Sequence, residues 1–70
     1  MIDSSSYFKR FNDIEAIDTC RILQVENSGQ NPMFFIAIIT LKGKWLKTDS
    51  RTLATAVCDM ENKLREVRNG

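Results

Sequence analysis

Residues 33–41 run Met-Phe-Phe-Ile-Ala-Ile-Ile-Thr-Leu. Aromatic and β-branched side chains at this density favour a strand. The seven unbroken apolar residues at 33–39 fall far short of the roughly 20 needed to cross a bilayer as a helix. Along a strand, side chains alternate between the two faces of the sheet. Phe34, Ile36 and Ile38 then point one way, and Phe35, Ala37, Ile39 and Leu41 the other. Both sets are apolar, whereas an antiparallel sheet with one wet face alternates apolar with polar. The fold must either cover both faces of this strand or leave one of them bare.

Seventy residues leave room for a single domain spanning 1–70. A domain this size buries only about 60% of its unfolded surface, so its core is thin. Upstream of the apolar run, residues 4–13 predict a short helix that Ser4, Ser5 or Ser6 can cap. Tyr7, Phe11 and Ile14 fall on one side of it, with Phe8 beside them. Residues 19–26, containing Ile22-Leu23-Gln24-Val25, predict a first strand. It stops at the turn signal Asn27-Ser28-Gly29-Gln30-Asn31-Pro32. The second strand spans 33–42, Lys42-Gly43-Lys44 forms a tight turn, and 44–48 returns as a third strand. Residues 52–67 predict a long helix, because Leu53, Ala56, Val57, Met60, Leu64 and Val67 form one unbroken stripe. Asp49 or Ser50 is its expected N-cap, and Asp59 with Lys63 and Glu61 with Arg65 are acid-before-base pairs four apart. The expected class is α+β: a three-stranded antiparallel meander with a short N-terminal helix and a long C-terminal one, α-β-β-β-α.

The residue inventory excludes much chemistry. The chain has no histidine, so the commonest general base and metal ligand are missing. Cys20 and Cys58 are its two cysteines, too few for a four-ligand zinc site or a dense disulfide framework. Cys20 alternates with Ile22 and is expected in the core, while Cys58 falls on the polar side of the last helix. Asp13, Glu15 and Asp18 sit on a connector at loose spacing, which suits solvated charge better than acid–base work. No catalytic, cofactor-binding or metal site is expected, and no small-molecule substrate is evident. The N-terminus lacks the basic and apolar regions of a signal peptide, so the expectation is a cytoplasmic protein with no membrane partner. A tail-less domain of this size is compatible with a phage- or plasmid-borne gene.

Two surfaces stand out. The second face of the sheet offers Phe35, Ala37, Ile39, Leu41 and Trp45, and monomers rarely leave large apolar patches unused. It is expected to be a homodimer or protein-partner interface, unless the N-terminal helix wraps round to cover it. The other surface is basic. The ten basic and nine acidic residues nearly cancel. Residues 27–52, however, carry Lys42, Lys44, Lys47 and Arg51 against Asp49 alone, net +3. Lys47, Ser50 and Arg51 near the start of a helix could meet a phosphate, joined by Asn27, Gln30 and Asn31 of the loop.

The stretch from Gly29-Gln30-Asn31-Pro32-Met33-Phe34 into the strand, the Lys42-Gly43-Lys44 hairpin and Ser50-Arg51-Thr52-Leu53-Ala54-Thr55 at the start of the last helix resemble the double-stranded RNA-binding domain. That family carries a basic Ser-Lys-Lys-x-Ala-Lys helix start. Here only Arg51 keeps a charge, Thr52 and Thr55 replace the other two lysines, and the loop histidine is absent. The resemblance implies the fold with a weakened RNA-binding surface, since each lost phosphate contact removes counterion release. A three-stranded sheet plus helix also occurs in plant transcription-factor and phage integrase arm-binding domains. There the sheet reads DNA, and Arg21, Gln24, Thr40 and Lys47 would be the polar readers here. The leading expectation is a small non-enzymatic interaction module, a regulator or inhibitor acting on a protein partner or as a homodimer. The alternative is a weak RNA- or DNA-binding domain using Lys47, Arg51 and the 27–31 loop.

Overall fold

The structure, a computed structural model, describes residues 4–26 and 32–70. Helix α1 (Ser4–Ile14) leads into strands β1 (Ile17–Val25), β2 (Met33–Thr40) and β3 (Trp45–Ser50), and helix α2 (Leu53–Asn69) ends the chain. The sheet has the order β1-β2-β3, with both pairings antiparallel. It is the α+β meander with two helices that the patterning predicts. The apolar run is the central strand, flanked on both sides.

The core lies on one face of that strand. Ile36 and Ile38 are completely buried among Phe11 of α1 and Ala56, Met60 and Leu64 of α2. Tyr7, Phe8, Ile14, Ile22, Phe34, Leu46 and Leu53 pack round this centre. Each large apolar side chain so removed from water contributes about 1.5–3 kcal/mol. Helix α1 lies on this same side and does not wrap to the other. Arg10 of α1 donates to Glu61 Oε1 of α2 at 3.2 Å and stands 5.9 Å from the centre of the Tyr7 ring. Glu61 therefore pairs across the helices and not with Arg65, which donates to Asn62 Oδ1.

Strand β1 begins two residues earlier than the pattern suggests. A register irregularity falls between Ile17 and Thr19, so that Ile17 pairs with Thr40 and Thr19 with Ile39. An extra residue in one strand reverses the alternation locally. Ile17 thereby turns into the core, while Thr19 faces the other way. The side-chain oxygen of Asn12 accepts from the Ile17 amide at 3.0 Å, tying the end of α1 to the start of the strand.

The β2–β3 hairpin closes earlier than expected, at Thr40. The Thr40 amide donates to the Lys44 carbonyl, the Gly43 amide to the Thr40 carbonyl, and the Lys44 amide to Thr40 Oγ1. Gly43 takes φ +86°, where a side chain is strained and glycine is not. Strand β3 then runs on to Ser50, which leaves Asp49 and Ser50 in the sheet. The cap of α2 is Thr52, whose Oγ1 accepts from the Thr55 amide at 3.2 Å. Buried Thr48 donates its hydroxyl to the Ala56 carbonyl at 3.1 Å, locking β3 against the first turns of α2.

Candidate interaction face

With both helices on the Ile36–Ile38 side, the opposite face of the sheet is open. The register lays its side chains out in ranks across β1, β2 and β3. Thr19, Ile39 and Trp45 form the first rank, and Arg21, Ala37 and Lys47 the second. Leu23, Phe35 and Asp49 form the third, and Val25 with Met33 the fourth. The exposure is large for apolar groups: Trp45 is 74% accessible, Leu23 51% and Val25 42%. Phe35, Ala37, Ile39 and Met33, in the central strand, are partly screened by their neighbours in the sheet.

The face has relief and charge. Ala37 is the small residue in the middle of the second rank, and a hollow opens there, lined by Thr19, Cys20, Arg21, Ala37, Ile39 and Trp45. Next along the strand, Phe35 is a large side chain. The Lys47 ammonium lies over its ring, 5.7 Å from the centroid, where the ring's negative face attracts a cation. Asp49 stands opposite Phe35 in the same rank. Two cations, Arg21 and Lys47, thus flank the hollow, and one carboxylate sits a rank away.

Of the residues expected on this face, Phe35, Ala37, Ile39 and Trp45 share it, all within strands. Leu41 is 66% exposed, but it lies past the end of β2 in the hairpin turn. The structure adds Leu23, Val25 and Met33, which the alternation of the first and second strands already implied.

The basic candidates do not gather in the same way. Lys47 is on the open face in mid-strand, whereas Ser50 alternates to the core side and is half-buried at the far end of β3. Arg51 is exposed in the bend before α2. The Ser50 hydroxyl accepts from the Thr52 amide at 3.5 Å, and Thr52 itself occupies the helix cap. Asn27, Gln30 and Asn31 lie outside the described residues. Of the four polar readers a DNA-reading sheet would need, Arg21 and Lys47 lie on the open face. Gln24 and Thr40 alternate to the other, with Thr40 buried.

Nor do the remaining reactive groups form a site among the described residues. The three acids do not share a connector: exposed Asp13 lies in the last turn of α1 and exposed Asp18 in β1, while Glu15, between the two elements, accepts from the neighbouring Ala16 amide. No group of three His, Cys, Asp or Glu side chains able to hold a metal ion occurs among them. Cys20 and Cys58 are both free thiols. Burial pushes the Cys20 thiol above its ordinary pKa, because a thiolate is disfavoured where water is scarce. No described helix is long and apolar enough to cross a membrane. Searches against family models, curated proteins and solved structures find no match for this chain.

Proposed function

We propose that this chain is a small non-enzymatic interaction module, a regulator or inhibitor that acts by binding a protein partner or by homodimerising. One observation carries the reading: the open sheet face presents Trp45, Leu23, Val25, Phe35 and Ile39 together, unsheltered by either helix. Exposed apolar surface at this density marks an interaction site on a folded protein, and an exposed tryptophan is a frequent energetic anchor in interfaces. The chain's lack of histidine and of any sequence-legible nucleophile–base pair supports a binding role over a catalytic one. Two free thiols suit a reducing compartment, and the reading is therefore cytoplasmic.

The test is Ile39→Asp, which places a charge on the central strand of the face and leaves the core untouched. Sedimentation velocity and affinity capture should show association in the native chain and its loss in the variant, with the circular dichroism of both alike. A control at Arg68, an exposed residue near the end of α2, should behave as the native chain. Association that survives Ile39→Asp would refute the reading.

A second reading is a weak nucleic-acid binder, a degenerate relative of the double-stranded RNA-binding domain in α-β-β-β-α order. What favours it is the placement of Arg21 and Lys47 beside the exposed Trp45, since aromatic platforms with basic neighbours stack and hold nucleic-acid strands. Binding of duplex RNA or a single-stranded oligonucleotide at low salt, weakening steeply as salt rises and lost in Lys47→Glu or Arg51→Glu, would support it.

A further inference from the structure

Resting on the reading of the open sheet face as an interface, we infer that its occupant is a second copy of this chain, docked face to face about a two-fold axis perpendicular to the strands. A homodimer interface of this kind is isologous: if residue i meets residue j of the partner, j meets i in turn. The surface must then be complementary to itself under the rotation. Of the axes lying in the interface plane, two keep the strands of the copies aligned, as in most packed sheets. An axis along the strands lays β1 over the partner's β3 rank for rank, and sets Arg21 against the partner's Lys47. Like charges facing each other across a desolvated interface strongly disfavour that arrangement.

An axis across the strands, passing between the second and third ranks, has the opposite result. The second rank of each copy then meets the third rank of the other. Phe35 enters the hollow over the partner's Ala37, and its own neighbour Ala37 receives the partner's Phe35. Lys47 meets the partner's Asp49, and Asp49 the partner's Lys47, so both charges on β3 are paired twice over by symmetry. Along the central strand, Ile39 faces the partner's Met33. Arg21, on the outer strand, lays its stem over the partner's Leu23 and keeps its guanidinium at the rim. Large meets small and acid meets base in the two central ranks, while Thr19 meets the partner's Val25 and Trp45 stays at the rim, because β3 has no fourth-rank residue to face it. Packed sheets sit about 10 Å apart with strands within roughly 30° of parallel, so the two central ranks, nearest the axis, hold their partners best.

The size of the face sets the strength. Three strands about 4.8 Å apart and a central strand of eight residues rising about 3.3 Å each make a platform of roughly 380 Å² in projection on each copy. Counted on both copies this is below the roughly 1,200 Å² of stable specific interfaces and in the range of weak, transient ones, so the dimer forms reversibly as concentration rises.

The experiment is a charge exchange. Lys47 and Asp49 are both exposed, so replacing them leaves the core intact. Sedimentation velocity on the full chain, from about micromolar to about millimolar, should give a monomer–dimer equilibrium. Lys47→Glu alone and Asp49→Lys alone should each weaken it by about tenfold or more, because each places like charges against each other twice. Mixing the two variants should restore a heterodimer, in which Glu at 47 meets Lys at 49 in one pairing and native Asp49 meets native Lys47 in the other. No role internal to one chain predicts that rescue. A native chain that stays monomeric throughout overturns the inference. So does a single-stranded oligonucleotide bound to a monomer through Lys47. A dimer lost in Ile39→Asp but blind to the charge exchange overturns the register while the face remains the interface. A dimer indifferent to both variants overturns the register and the face together.

Discussion

Cys20 illustrates how one position carries a pH dependence. It faces Ile38 across the β1–β2 pairing, half-buried against the core, and burial raises its pKa. A raised folded-state pKa means that the folded chain keeps the proton after the unfolded chain has begun to lose it. Below the unfolded value, about 8.5 for a free thiol, both states hold the proton and stability is intact. As pH climbs from there toward the folded value, the unfolded state gains the advantage and stability falls. Chemical denaturation at pH 7 and pH 10 should show a smaller decline in Cys20→Val than in the native chain. The same burial predicts that a thiol reagent under native conditions modifies exposed Cys58 well before Cys20. The sequence already separated these two cysteines, because the parity of a strand and the angle round a helix are local properties.

At the scale of elements, the hairpin offers the sharpest expectation. Gly43 has φ +86° and open space where a side chain would stand, so an alanine there meets no clash and only the backbone is strained. Gly43→Ala should lower stability by about 1–2 kcal/mol, with Gly43→Asn closer to native, read from urea denaturation midpoints. The element types and their order were legible because periodicity is written within each segment. The junctions were not. Asp49 and Ser50 have the chemistry of helix caps, but pairing with β2 keeps both of them in β3, and Thr52 takes the cap instead. Ile17 sits next to acidic Asp18 in a stretch that looks like connector. Only the irregularity in the β1–β2 pairing, a relation between distant residues, turns it into the core. The Glu61–Arg65 pair fails for the same reason: Arg10, fifty-one positions away in the chain, reaches Glu61 first. Local chemistry predicts local partners, and tertiary packing supplies better ones.

For the whole molecule, the governing fact is asymmetry between the two sides of one thin sheet. Two helices make a core on one side, and nothing in the described chain does so on the other. The double apolar alternation of residues 33–39 announced that the sheet would have a second apolar face. It did not contain the answer to where α1 would lie, since that helix's stripe would have suited either face. The ranks that make the open face self-complementary were likewise hidden, because they depend on the register of three strands at once. Under the proposed dimer, concentration becomes a variable of state: raising it should stabilise the fold together with the assembly, since a ligand that binds only the folded form, here another copy, shifts the unfolding equilibrium.

The chain has a single tryptophan, and it stands on the bare face and not in the core. Its fluorescence in dilute solution should already have the emission of a water-bathed indole, changing little when the protein unfolds. Docking of an occupant that covers Trp45 should shift that emission to shorter wavelength. Far-ultraviolet circular dichroism follows the helices and strands instead. In a melt of the monomer the dichroism should show the whole transition while the fluorescence shows almost no amplitude, even where the unfolding is a single cooperative step. That disagreement makes Trp45 a built-in gauge of what touches the sheet, and a poor gauge of whether the protein is folded.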